Sequence, residues 1–191
     1  MTTSIDTSVA PLSGTQGGTG VNNSSNTLTF GASTSIDSSG RIATPSRPGF
    51  AYYLATDVSN VTGNNTNYSV VFDTPYFNNG SVFDGTTFTA PVTGHYMFHV
   101  VLVSYGYLVG HTLSSIYLYI NGTTVVPLVS YSGYVCVTSS TVMAMSGSAI
   151  INLSATDTLV LRFLVSGSTE VINIDGSDNN NRSTFSGYLL S

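Results

Sequence analysis

The chain has 191 residues, 41 % of them hydrophobic and only 7 % charged, with a formal net charge of −5 and no lysine. Charged residues usually make up about 25 % of a globular chain, so the surface here must be carried by Ser, Thr, Asn and Gly, which compete with the helix backbone and sit poorly in long helices. The four arginines, at 41, 47, 162 and 182, form no basic cluster, which excludes phosphate-driven nucleic-acid binding, and no stretch approaches the roughly 18 apolar residues of a membrane span.

Residues 1–44 differ in material from the rest. The first ten lack the basic and apolar regions of a signal peptide, so synthesis in a cytoplasm is expected. The run from Pro11 to Thr27 is nearly all Gly, Ser, Thr, Asn and Gln and cannot bury enough apolar surface to fold alone. Three short β-prone pieces follow, Thr27–Phe30, Ser35–Asp37 and Arg41–Thr44. Each is too short to stand as a lone strand, so pairing with copies of itself in a trimeric stalk, or with another protein, is expected. Pro45 and Pro48 close this extended tail.

From residue 45 to 191 the pattern is one of strands separated by turns. Predicted strands are Phe50–Ala55, Ser69–Asp73, Thr86–Ala90, His95–Tyr105, Ser115–Ile120, Thr123–Val129, Val135–Thr138, Ala149–Leu153, Leu159–Val165, Val171–Ile174 and Phe185–Leu190, with a short piece at Phe77. Asn121-Gly122 marks a hairpin. Strands of this number, spaced by Gly, Asn, Ser and Asp, predict an all-β sandwich. The single cysteine, Cys136, excludes an internal disulfide and reads as a small core residue in the apolar run 134–137.

On the longest predicted strand, Tyr96, Phe98, Val100 and Leu102 share one face, and His95, Met97, His99, Val101 and Val103 the other. Both faces are largely apolar, whereas a lone sandwich buries only one. The second face therefore predicts a subunit interface at Met97, His99, Val101 and Val103. His95 and His99 lie about 13 Å apart along the strand and cannot chelate one metal within a chain.

Three ordered motifs carry a family resemblance. Phe88-Thr-Ala-Pro91-Val-Thr-Gly94-His-Tyr96-Met-Phe98 resembles the F-x-x-P-x-x-G-x-Y-x-F signature of the complement C1q globular head. Ser146–Asp157 resembles its S-G-x-x-x-L-x-L-x-x-G-D segment, and Ser183-Thr-Phe185-Ser-Gly187-Tyr-Leu-Leu190 its closing strand. The resemblance implies a ten-stranded jelly-roll β-sandwich of the complement and tumour-necrosis-factor type, homotrimeric, behind an extended N-terminal tail. Thr156 stands where the family has Gly and Leu159 where it has Trp, and no collagen-like stalk is present. Immune-complement function is therefore not implied. Members of the family often hold calcium near Asp157, but Asn152 replaces an earlier carboxylate, and a hard cation prefers charged oxygens. No cofactor and no metal are expected, with calcium the open alternative.

The tail carries a second resemblance. Gln16-Gly17-Gly18-Thr19-Gly20-Val-Asn-Asn resembles an element of bacteriophage and other viral fibre proteins, and Ile36–Pro45 resembles the collar that precedes complement-like heads in virion proteins. This implies anchoring to other virion proteins through Gln16 to Gly20 and a place on the virion surface. If the closing strand ends beside the tail, alternation of strands puts the loops Tyr105–Ser114, Ser154–Asp157 and Gly176–Arg182 at the far tip. Tyr105, Tyr107, His111, Asp178, Asn179, Asn180 and Arg182 are then the candidate contacts for a host-surface glycan or protein.

An enzyme is not expected. There is no G-x-S-x-G elbow, and the single glutamate, Glu170, offers no paired carboxylates of glycosidase type. No His/Cys metal spacing occurs. The expected role is a trimeric virion fibre or spike that binds a host ligand. The alternatives are a decoration or capping trimer without receptor binding, and a secreted lectin-like adhesin.

Overall fold

A computed structural model describes residues 28–30, 34–36, 42–44, 47–133, 141–176 and 183–191. The chain divides into two units between Arg47 and Pro48. Gln16 to Gly20, the apolar run around Cys136, and Asp178, Asn179, Asn180 and Arg182 all lie outside the described residues.

In the first unit, β1 (Leu28–Phe30), β2 (Thr34–Ile36) and β3 (Ile42–Ala43) form an antiparallel sheet in the order β1-β2-β3. Ile36 stands opposite Leu28 on one side and Ile42 on the other. The short pieces pair with one another inside the chain.

The second unit is all-β among its described residues. Its strands are β4 (Gly49–Tyr53), β5 (Val58–Thr62), β6 (Asn67–Ser69), β7 (Thr74–Asn79), β8 (Thr87–Thr89), β9 (Gly94–Tyr107), β10 (Leu113–Ile120), β11 (Thr124–Ser132), β12 (Thr141–Leu153), β13 (Thr158–Ser166), β14 (Ile172–Ile174) and β15 (Thr184–Leu189). That is twelve strands where ten were expected. The seven-stranded sheet has the order β5-β14-β9-β15-β4-β7, with β12 on the other side of β9. The five-stranded sheet has the order β11-β10-β13-β6, with β8 also on β13.

The core between the sheets follows from alternation. Tyr96, Phe98, Val100 and Leu102 of β9 and Leu159, Leu161, Phe163 and Val165 of β13 are buried. The residues of the recognised motifs supply its aromatic centre. Phe88 packs on Tyr96 and Phe98 at 5.3 and 5.1 Å between ring centroids, and Phe185 on Phe50 at 5.1 Å. Such pairs contribute about 0.5–1.5 kcal/mol beyond their buried area. Gly187 is required by this packing, since a Cβ there would stand 2.6 Å from Phe98 and 2.8 Å from Phe50. Gly94 is held where a Cβ would meet the Ser191 carbonyl at 2.5 Å. Pro91 lies exposed in the bend before it.

One end of the sandwich gathers the start of β4, Gly94 and residue 191. The Leu189 N–H donates to the Pro48 carbonyl at 3.1 Å and the His95 N–H to the Ser191 carbonyl at 2.9 Å. Tyr105 and the 108–111 turn are at the other end of β9. The 154–157 loop lies at the first end, because Leu153 stands opposite Gly94. Strict alternation of strands predicts it beside Tyr105, and β14 is the physical reason that it lies at the opposite end. With three residues, β14 spans only about 10 Å and does not carry the chain back across the sandwich.

Candidate functional site

Opposed residues of antiparallel strands project from the same face of the sheet. Outside the core, the seven-stranded sheet therefore presents three rows across its strands. Ile150, Met97 and Tyr188 form the first; Ser148, His99, Ser186, Ala51 and Phe77 the second; Ser146, Val101, Thr184, Tyr53 and Thr74 the third. Ile150 is 64 % exposed and Tyr188 41 %, the Tyr188 hydroxyl lies 3.6 Å from Met97 Sδ, and the Tyr53 and Tyr76 rings are 4.8 Å apart. Exposed apolar side chains gathered on one sheet face, here among Ser, Thr and His, mark a candidate interaction face. Of the residues predicted at an interface, His99 is exposed and Met97 and Val101 are half-buried in the single chain. Val103 is only 8 % exposed. Asp175 and Ser183 bond to its backbone, the Asp175 N–H donating to the Val103 carbonyl at 2.8 Å and the Val103 N–H to Ser183 Oγ at 3.1 Å. Val103 thus adds little to the surface that the single chain leaves open.

At the far end, the structure separates the predicted contacts. Tyr107 is fully buried, its hydroxyl hydrogen-bonded with Ser104 Oγ at 2.8 Å and Ser114 Oγ at 2.9 Å. His111, expected to be solvated, is also fully buried. Its Nδ1 accepts the Leu108 N–H at 2.9 Å, which leaves the proton of the neutral ring on Nε2, donated to the Thr169 carbonyl at 3.2 Å. A tight turn folds it in, the His111 N–H donating to the Leu108 carbonyl at 3.0 Å. Both residues brace the end of the sandwich rather than face a ligand. Tyr105 is half-buried, and its hydroxyl donates to Asp57 Oδ2 at 2.7 Å while Asp57 Oδ1 accepts the Gly176 N–H at 2.9 Å. The bond to Asp57, burial, and the charges of Asp57 and Asp175 hold the Tyr105 phenol above its usual value of 10.0. Replacing His111 with leucine leaves the Leu108 N–H without its acceptor, so a loss of about 1–3 kcal/mol is expected, read as a lower urea midpoint at unchanged slope.

Asp157 does not fit a calcium site. Its Oδ1 accepts Asn121 Nδ2 at 2.9 Å and its Oδ2 accepts the Ser154 N–H at 2.8 Å. Among the described residues, no three His, Cys, Asp or Glu side chains are grouped to hold a metal ion. The carboxylate instead ties the 154–157 turn to the β10–β11 hairpin, where Asn121 Oδ1 accepts the Thr158 N–H at 2.9 Å. The bonds from Asn121 and Ser154 hold its pKa below the usual 3.8. A lowered folded pKa means that the contribution to stability is full above the unfolded value and is lost as pH falls through the folded one. Asp157→Asn is therefore expected to flatten the fall of the melting temperature below pH 3.8, measured by calorimetry from pH 6 downward.

A cluster that the sequence reading passed over lies on the outer face of the five-stranded sheet. Arg162 of β13 stands opposite Tyr117 of β10 and Ser69 of β6. Its guanidinium carbon is 5.1 Å from the centre of the Tyr119 ring, a cation–π distance. Its Nη1 donates to the Asn67 carbonyl at 3.4 Å, and Asn67 Nδ2 donates to the Tyr119 hydroxyl at 3.2 Å. Arg162 Nε and Asn67 Oδ1 are shielded from solvent without a hydrogen-bond partner.

The family profile of the C1q domain matches residues 51–190, which include all three recognised motifs. Among solved structures, the globular domain of a zebrafish complement 1qA protein is similar, with a TM-score of 0.51 and 16 % identity over 76 % of this chain and 98 % of that one. The Eiger tumour necrosis factor of S. frugiperda has a TM-score of 0.50 and 13 % identity over 76 % and 94 %. At such identities the likeness is one of fold, a jelly-roll arrangement of two sheets. No curated protein matches the chain. The profile covers well over half of the sequence, and the chain belongs to the C1q domain family.

Proposed function

We propose that the protein is a homotrimeric, non-enzymatic virion fibre or spike, its tail at 1–44 attaching to the particle and its head at 45–191 binding a host-surface glycan or protein. The observation that carries the trimer is the outer face across β12, β9, β15, β4 and β7, where a single chain leaves Ile150, Tyr188 and Phe77 exposed beside half-buried Met97 and Val101. The viral setting rests on the resemblance of Gln16 to Gly20 and of Ile36–Pro45 to fibre and collar elements. A surface of hydroxyls and amides with few charges suits a protein that must avoid non-specific ionic partners, and three copies of one weak site raise the avidity.

One observation favours the second reading, a capping trimer without receptor binding: Tyr107 and His111 are buried, which leaves Tyr105 alone, among the described candidate contacts, with open surface. The test has two parts. Light scattering and sedimentation of the full chain should give three times 20.0 kDa; a single-chain mass would remove the trimer. The purified protein should then compete with the particle for attachment to host cells, and a trimer that does not compete leaves the capping role.

A further inference from the structure

We propose that Arg162 and Tyr117 form a binding site for a carboxylate-bearing sugar on the outer face of the five-stranded sheet, with Tyr119 fixing the arginine. The proposal deepens the ligand-binding reading above and rests on it only for the origin of the sugar on a cell surface. This face lies on the opposite sheet from the open apolar one, so trimerisation through the latter leaves it accessible.

The arginine is unusual in three ways. It is one of only four in a chain of net charge −5, yet it forms no ion pair among the described residues. No aspartate or glutamate occupies the positions opposed to it or beside it on β10, β13 and β6. Its Nη1 makes one long bond to a backbone carbonyl, its Nε is shielded without a partner, and its Nη2, neither shielded nor bonded, reaches solvent. The Tyr119 ring lies against the guanidinium at 5.1 Å and is itself anchored by Asn67. The fork is thus placed by the protein but not neutralised by it.

Tyr117 is the second donor. It stands directly across from Arg162, is half-buried, and its hydroxyl has no hydrogen-bond partner among the described residues. Side chains opposed in this way have Cβ atoms about 5 Å apart. One cationic N–H and one phenolic O–H, presented on the same face from opposed positions, can each donate to one oxygen of a carboxylate, and charge-assisted bonds of this kind are short and strong. The Tyr117 ring, on the same outward face as Arg162, offers a flat apolar surface to the C–H side of a pyranose. Ser69, also opposite Arg162, offers a hydroxyl on the same face. A single fixed cation among rings and hydroxyls fits a monoanionic sugar better than a polyanion, which would need several.

The test uses the full chain with methyl glucuronide as probe and methyl glucoside as its uncharged counterpart, by calorimetry and saturation-transfer NMR. The glucuronide should bind at least about tenfold more tightly than the glucoside, and Arg162→Gln should lose about tenfold or more. Arg162→Lys keeps the charge and the stem but not the fork and should recover only part of the affinity; Tyr117→Phe should weaken binding with the sheet intact. Equal binding of the two sugars, or undiminished binding by Arg162→Gln, would overturn the site. A wild-type protein that binds neither sugar but still competes with the particle on host cells would sink this site and leave the ligand-binding reading standing. Arg162-dependent glucuronide binding without competition would do the reverse.

Discussion

Replacing Phe98 with alanine should cost about 3–5 kcal/mol of stability, the range for deleting a fully buried phenylalanine. Phe98 is completely buried, and its ring lies 5.1 Å from Phe88, 6.2 Å from Phe185 and 6.5 Å from Phe50. The space it vacates is bounded by strand backbone that cannot collapse without breaking two ladders, to β12 and to β15. A second variant tests the same packing from the opposite side. Gly187→Ala puts a methyl group 2.6 Å from the Phe98 ring and should destabilise by about 1–3 kcal/mol as an overpacked site. Because the two changes compete for one volume, the double variant should be more stable than the sum of the two losses predicts, with a coupling of about 0.5–3 kcal/mol. Urea denaturation of all four proteins measures the cycle, and strict additivity would contradict the contact.

The second large effect concerns assembly rather than folding. Met97→Asp should reduce the solution mass from three chains to one while leaving the single-chain fold intact. Met97 sits between Ile150 and Tyr188 on the open face, so a carboxylate there would be hydrated in the free chain and buried in the proposed trimer. Taking an unpaired charge out of water costs several kcal/mol per ion, and the trimer would bear that cost three times. Ile150→Asp, one strand away, should behave alike, whereas Thr123→Asp in the β10–β11 hairpin should leave the mass unchanged. Sedimentation at several concentrations separates these outcomes. A Met97→Asp protein that stays trimeric would move the interface to another face.

The parts of the fold most legible in the sequence were those with dense, alternating hydrophobic patterns. β9 and β13 could be read from their alternation, and the aromatic motif from Phe88 to Phe98 marked the centre of the core. β5 escaped because Val58-Ser-Asn-Val-Thr has only two apolar residues, and the first half of β12 because the small residues Ser146-Gly147-Ser148 interrupt its apolar pattern after Met145. In the latter, Gly147 fits because its α-carbon passes under Leu128, where a Cβ would come within 2.9 Å of the Leu128 Cβ. Small residues there mean close packing, which no periodicity reveals. His111 looked like an ordinary loop residue, since its two backbone partners, 3 and 58 residues away, become neighbours only in the fold. Arg162 was legible in part, as it alternates outward on a predicted strand. Its meeting with Tyr117 and Tyr119 depends on which strands pair, and that register is not written in either segment alone.

The closeness of Gly49 to Tyr188 at one end of the sandwich has a mechanical consequence. Hydrogen bonds between antiparallel strands run across the strand direction. A pull applied to residue 49 and residue 189 together would load the β4–β15 ladder one bond at a time, as a zipper opens, and should separate it at low force. A pull between residue 49 and the far end, around Tyr105 and Asp57, would run along the strands and load many bonds at once in shear. A head tethered through its start and gripped at its tip is thus strained in its resistant direction, and single-molecule stretching in the two geometries should give clearly different rupture forces.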